Sequence, residues 1–145
     1  MEIDNIKNLI TCKIIDIGRV IDLCWIIFEK EEKYYSLHLQ CPWRIRKDNK
    51  IVLSNMDIYE WEGENGEEWN EKRNNFFDET ILKYNKWNGV EVENVIISDV
   101  LDIKLILSDS YIFECFVDDI RGECWRFFEK KALDHLVVWG KGIEQ

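Results

Sequence analysis

Two sets of short segments, in which every second residue is apolar, occur in the same order along the chain. VIDLCWII (residues 20–27) aligns with VLDIKLIL (100–107), and residues 35–39 align with residues 113–117. Side chains of a strand alternate between its two faces, so each segment predicts a strand with one apolar face. In the first segment that face is assigned to the odd-numbered residues, from Ile21 to Ile27. We interpret the pattern as an internal duplication of a β-meander unit, with copies at about 12–55 and 92–140.

A Trp-Arg pair recurs at the fourth strand of each predicted unit. The tryptophans are expected to face the apolar core and the arginines to face away from it. Aspartates on the preceding strands also face away from the apolar rows, so ion pairs across a sheet are expected. The residues given these structural roles are Asp22, Trp43 and Arg44 in the first unit and Asp102, Trp125 and Arg126 in the second. Pro42 has no N–H to donate, so it predicts an edge, a bulge or the entrance to a strand.

Helical signals lie outside the two units. Apolar residues at steps of three and four predict a helix over about 67–84, ended by Asn88-Gly89. Asp4 is expected to cap a short N-terminal helix over residues 5–10. The predicted fold class is α+β, mostly antiparallel, with one core and one domain over residues 1–145. A sandwich, a half-closed barrel and one continuous sheet all satisfy the pattern.

The charge and cysteine content bear on compartment and partners. Nineteen Lys and Arg against 29 Asp and Glu give a net charge of −10, which argues against nucleic acid or an anionic membrane as the ligand. The N-terminus has acids where a secretory signal carries bases and no small-residue cleavage site follows, and no apolar run approaches the roughly 20 residues of a membrane span. Five irregularly spaced cysteines within or beside apolar runs are typical of reduced thiols. A cytoplasmic location is therefore expected.

Recognised catalytic and metal-binding patterns are missing from the sequence. His38-x-x-Cys41 offers zinc-binding residue types but not the paired, regular spacing of zinc sites. The same two residues could form a nucleophile and its base, but residues three apart in a strand point to opposite faces. No phosphate-binding glycine loop is present. We therefore expect no metal, no cofactor and no enzymatic activity.

The segment DIYEWEGENGEEWNE (57–71) combines seven acids with three aromatic residues and contains no base. Aromatic residues are favoured anchors of protein interfaces, and acids accelerate encounter with a basic partner. The predicted contact residues are Tyr59, Trp61 and Trp69, with steering by Glu62, Glu64, Glu67 and Glu68. The alternative is an acidic loop whose tryptophans fold back onto the core.

The blocks LHLQCPWRI (37–45), ECWRFFE (123–129) and HLVVWGKGIE (135–144) resemble those of a group of small, poorly characterised bacterial proteins, mostly Gram-positive. In size and acidity the chain is also similar to immunity proteins of bacterial toxin systems. The missing catalytic patterns, the net charge of −10 and the aromatic-acidic segment together predict a non-enzymatic, protein-binding module. The likeness to immunity proteins implies that such a module inhibits a toxin or nuclease with a basic surface.

Two other classes of function remain open. One is a small-ligand binder or enzyme that uses a cleft between the units, with His38, Cys41, Arg44 and Arg126 around it. The other is a subunit of a larger assembly, joined through an exposed strand edge. The sequence indicates no oligomeric state.

Overall fold

A computed structural model describes residues 1–60, 75–84, 87 and 89–144 of the chain. The described part contains eleven strands and one α-helix, and every strand pair is antiparallel. The predicted α+β, mostly antiparallel fold is confirmed. The strands are β1 (Lys13–Val20), β2 (Leu23–Lys30), β3 (Lys33–Leu39), β4 (Trp43–Lys47), β5 (Lys50–Ser54), β6 (Val92–Ile97), β7 (Ile103–Leu107), β8 (Tyr111–Cys115), β9 (Glu123–Glu129), β10 (Leu136–Trp139) and β11 (Gly142–Ile143).

The strands form two sheets, and the predicted units exchange strands between them. The first sheet has the order β1-β2-β3-β9-β10-β11, and the second has the order β5-β4-β8-β7-β6. The first three strands of each unit therefore stay together, while the next two cross to the opposite sheet. The buried side chains of both sheets belong to one hydrophobic core. Backbone hydrogen bonds between residues 11–14 and 89–92 join the two sheets at one corner.

The strand registers of the two units correspond. Trp125 lies opposite Leu39 on β3, and Trp43 lies opposite Cys115 on β8. The edge strands β1 and β6 each have an irregularity at the matching place, after Ile14 and after Val92. This correspondence agrees with an internal duplication, which stays a prediction.

The prediction for the inward face of β2 was wrong by one residue. Cys24, Ile26 and Phe28 are buried in the core, whereas the odd-numbered residues of the strand point outward. A one-residue slip moves every side chain of a strand to its other face. The run from Leu23 to Phe28 is continuously apolar, so alternation could not fix the face. The outward indole of Trp25 lies against Gly18, where a Cβ would overlap the ring.

The predicted short N-terminal helix is present as a 3₁₀ helix over Ile3–Leu9. Ile6 and Leu9 are fully buried and fix this helix on the core. The helix is capped at Glu2, two residues before the predicted cap, and the Glu2 N–H donates to Asn5 Oδ1 at 2.8 Å. Asp4 therefore lies within the first turn rather than at the cap.

The α-helix α1 spans Phe76–Tyr84, within the predicted range; residues 67–74 of that prediction lie outside the described residues. Asn75 caps its start, with Oδ1 accepting from the Asp78 N–H at 3.0 Å. Asp78 also accepts two hydrogen bonds from Arg19 of β1, at 2.9 and 2.6 Å. The buried Phe77 ring meets Trp43 edge to face. These contacts fix the helix on the core.

Among the described residues, no helix has the combined length and apolar character that crossing a bilayer requires.

Candidate functional site

A cleft of ≈ 280 Å³ lies where the chain crosses between the sheets. The crossovers are residues 40–42, between β3 and β4, and residues 116–122, between β8 and β9. The cleft is also bordered by the β1–β2 hairpin and by the 3₁₀ helix Asn55–Tyr59. Its polar and reactive lining consists of Asp22, Gln40, Cys41, Asn55, Tyr59 and Asp118.

Backbone hydrogen bonds hold the crossovers in place. The Phe116 N–H donates to the Pro42 carbonyl at 2.9 Å, and the Gln40 N–H donates to the Cys124 carbonyl at 2.8 Å. Pro42 immediately precedes β4, so its predicted place at a strand entrance is correct. A residue without an N–H suits this place because the ladder of β4 begins only at Trp43. The two crossovers are therefore tied to each other and to β9.

The cleft is acidic. Within the part of the chain that the structure describes, neither Asp22 nor Asp118 has a cationic partner. The Gln40 amide nitrogen donates to Glu123 at 2.8 Å, and no described residue donates to the Gln40 side-chain oxygen, which can act as an acceptor. The cleft can therefore accept hydrogen bonds from a cationic donor.

The 3₁₀ helix Asn55–Tyr59 beside the cleft begins with a capping box formed by Ser54 and Asp57. Ser54 Oγ accepts from the Met56 N–H, and Asp57 Oδ2 accepts from the Ser54 N–H at 2.7 Å. Burial raises the pKa of Asp57, although the Ser54 N–H opposes the shift. Ile58 anchors the helix in the core, and Tyr59, which follows it, is 59% exposed. The helix thus ends with a tyrosine ring that is exposed to solvent at the cleft.

Tyr59 is the only predicted contact residue of the acidic segment within the described ranges. Trp61, Glu62, Glu64, Glu67, Glu68 and Trp69 lie outside them. Their predicted role in partner binding stays a prediction.

The predicted ion pair of Arg44 with Asp22 was wrong. Arg44 and Arg46 both donate to Glu114, at 3.2 and 2.8 Å, because Glu114 lies on the neighbouring strand β8, directly opposite Arg44. Burial opposes ionisation of Glu114, yet the two arginines outweigh it and lower the pKa of Glu114. Asp22 instead belongs to the hairpin of the other sheet.

The second predicted pair, Arg126 with Asp102, was also wrong. Arg126 donates twice to Glu123, at 3.1 and 2.6 Å. Asp102 accepts from the Val117 N–H at 2.7 Å and so orders the second crossover. Strand exchange separates the predicted partners, because Arg126 lies in the first sheet and Asp102 precedes a strand of the second.

The two tryptophans of the repeated motif occupy related positions in the core. Trp43 and Trp125 are 2% and 0% exposed, and each reaches toward the first β-hairpin of its own unit, which lies in the opposite sheet. The Trp125 N–H donates to the Leu101 carbonyl at 2.9 Å. The Trp43 N–H lies near the Cys24 thiol but lacks the geometry of a full hydrogen bond. Burial raises the pKa of Cys24 to about 11, an effect that Trp43 opposes.

The two histidines lie on the outer face of the first sheet rather than at the cleft. His38 is paired with Arg126 across the ladder, and the rings of both histidines contact Phe128. Arg126 donates to His135 Nδ1 at 3.1 Å, so Nε2 carries the proton and donates to the Ala132 carbonyl. Burial, reinforced by Arg126, lowers the pKa of His38. As expected, His38 does not face Cys41.

Sequence reasoning missed the polar lining that surrounds Cys41. Asp118, Gln40 and Asn55 belong to no motif, and 29 acids offered no reason to single out Asp118. One signal could have indicated the site: the alternation of apolar and polar residues stops at Gln40-Cys41-Pro42, where the chain crosses between the sheets.

Within the described residues, no three His, Cys, Asp or Glu side chains are grouped so as to hold a metal ion. The chain matches no protein-family model, no curated protein and no solved structure.

Proposed function

We propose that the protein is a non-enzymatic, protein-binding module of the bacterial cytoplasm that binds a basic partner surface. Its proposed role is that of an immunity-type inhibitor of a toxin or nuclease. The observation that carries this proposal is the acidic cleft, where Asp22 and Asp118 have no cationic partner among the described residues and Tyr59 is exposed.

The chemistry of the cleft favours an inserted Lys or Arg side chain. Two carboxylates and the Gln40 carbonyl oxygen offer acceptors, and a guanidinium or ammonium group offers only donors. A volume of ≈ 280 Å³ suits one long side chain but is at the lower limit for pockets that hold small-molecule ligands. Tyr59 supplies contact area beside the inserted group, as tyrosines do at interface hot spots.

The net charge of −10 supports the same partner class. A strongly acidic protein attracts a basic partner over a distance of about one Debye length, roughly 8–10 Å at physiological salt. Encounter should therefore slow as salt rises, while the contacts within the cleft set the dissociation rate.

The test compares two variants that each lose two negative charges. Asp22→Asn with Asp118→Asn removes the cleft charge, and Asp16→Asn with Glu93→Gln removes charge from exposed positions on β1 and β6. Tagged wild-type protein and both variants are used to capture partners from cells of the encoding organism, at low and high salt. We expect a basic protein to bind the wild type and the control, and to bind the cleft variant at least tenfold more weakly.

The purified partner is then assayed for toxicity or nuclease activity with each variant. Inhibition by the wild type and the control, but not by the cleft variant, is the expected result. Equal binding by both variants, or a partner whose activity is unaffected, would contradict the proposal.

The rival function is a small-ligand binder or enzyme, and the presence of a cleft with a thiol in its lining favours it. Arg44, Arg126 and His38, which that hypothesis placed at the cleft, point instead to the outer faces of the sheets. A thermal-shift screen against cationic metabolites distinguishes the two functions: a ligand that stabilises the wild type but not the Asp22→Asn variant would favour the rival.

A further inference from the structure

Two thiols from distant parts of the chain are in contact beneath the cleft. Cys41 Sγ and Cys115 Sγ are 3.2 Å apart, although 74 positions separate them in sequence. Cys41 lies on the first crossover and Cys115 is the last residue of β8. Both side chains are buried, so no solvent separates the sulfur atoms.

The other three cysteines have different surroundings. Cys12 donates to the Asn8 carbonyl at 3.2 Å, and Cys124 donates to the Asp119 carbonyl at 3.5 Å. Cys24 lies beside the Trp43 indole. Only Cys41 and Cys115 have another sulfur as their hydrogen-bonding partner.

Small solutes can reach one of these two thiols through the cleft. Cys41 contributes to the cleft lining, and Cys115 does not. A molecule the size of hydrogen peroxide fits within ≈ 280 Å³ and can reach Cys41 without unfolding of the sheets. The hydrogen bond with Cys41 and burial both raise the pKa of Cys115, which keeps Cys115 protonated and unreactive toward peroxide by itself.

We propose that Cys41 and Cys115 are a reversible thiol–disulfide site that hydrogen peroxide oxidises in the folded protein. The Cys41 thiolate attacks one peroxide oxygen, the O–O bond breaks, and the departing hydroxide takes up the thiol proton as water. The product is a sulfenic acid on Cys41. The Cys115 sulfur then attacks the Cys41 sulfur, the S–O bond breaks, and the hydroxyl leaves with the Cys115 proton as a second water. Two thiols and one peroxide thus give one disulfide and two waters.

The required movement is small. A disulfide bond is about 2.05 Å long, so the sulfur atoms must approach by about 1 Å from their present contact. The crossover that bears Cys41 is a short connection outside the ladders, where such a movement costs less than within a strand. This site does not depend on the proposed function.

The test is peptide mapping of the folded protein after treatment with hydrogen peroxide. Trypsin places the five cysteines in five different peptides; residues 34–44 contain Cys41 and residues 105–121 contain Cys115. We expect these two peptides to become linked with the loss of two hydrogens, about 2 Da, and to separate again with dithiothreitol. The linkage should form while the far-ultraviolet circular dichroism remains native.

Variants separate the two chemical steps. Cys115→Ser should leave Cys41 as a sulfenic acid that dimedone traps, and Cys41→Ser should show neither trapping nor linkage. Cys12→Ser is the matched control and should form the linkage at the wild-type rate. The proposal is overturned if the linked peptide forms only in urea, if another pair of cysteines links first, or if Cys41 proceeds to sulfinic acid while Cys115 remains reduced.

Discussion

Replacing each tryptophan of the repeated motif by phenylalanine should have unequal effects on stability. Both indoles are buried, and a phenyl ring is smaller by roughly 40 Å³, so each change should cost roughly 1 kcal/mol at about 24 cal/mol per Å³ of cavity. Trp125→Phe also removes the donor to the Leu101 carbonyl, which adds about 1–3 kcal/mol. Trp43→Phe removes an N–H that has no proper acceptor, so no comparable cost arises.

The assay is urea unfolding followed by far-ultraviolet circular dichroism, which does not depend on tryptophan emission. We expect Trp125→Phe to lower the free energy of unfolding by about 2–4 kcal/mol and Trp43→Phe by about 1 kcal/mol, with equal m-values. Trp87→Phe is an internal control, because the buried Trp87 indole also lacks an acceptor and should behave like Trp43. Equal costs for Trp43 and Trp125, or a larger cost for Trp43, would refute the reasoning.

Two further changes test the hairpins and the surface ion pairs. Glu31 and Glu32 form the β2–β3 turn with φ values of 51° and 66°, a conformation that Asn-Gly adopts more easily than Glu-Glu. Glu31→Asn with Glu32→Gly should therefore raise the free energy of unfolding by about 1 kcal/mol, measured by thermal unfolding. An unchanged or lower midpoint would contradict this. The lowered pKa of Glu114 means that its pairs with Arg44 and Arg46 stabilise the protein above the ordinary pKa of 4.5 and that this contribution is lost as pH falls through the folded-state value. Glu114→Gln should therefore be less stable than the wild type at pH 7 in urea unfolding, with a deficit that shrinks as pH falls below 4.5; a deficit that does not depend on pH would show that charge is not its cause.

The local features of the fold could be predicted from the sequence, because they depend on neighbouring residues. Alternation at Tyr35, Leu37 and Leu39 identified the buried face of β3, and the positions of Trp43 and Trp125 followed from the same argument. Alternation failed where apolar residues were continuous, as in β2. There the register with β1 and β3 decides the face, and register is a tertiary property.

The candidate site depends on which strands pair in the folded protein, so it could not be predicted from the sequence. The expected partners of Arg44 and Arg126 assumed that each unit keeps its own strands, whereas β4 and β9 each join the opposite sheet. The contact of Cys41 with Cys115, and the cleft above it, exist only because both crossovers meet. No spacing rule within one sequence relates residues 41 and 115.

The exchange of strands also dictates how the chain must acquire its structure. During synthesis β3 emerges long before β9, its neighbour in the sheet, and residues 40–122 are made between them. The open edge of β3 must therefore remain unpaired, and protected from aggregation, until the last strands are complete. Each sheet takes strands from both halves of the chain, so synthesis of the first half alone completes neither sheet.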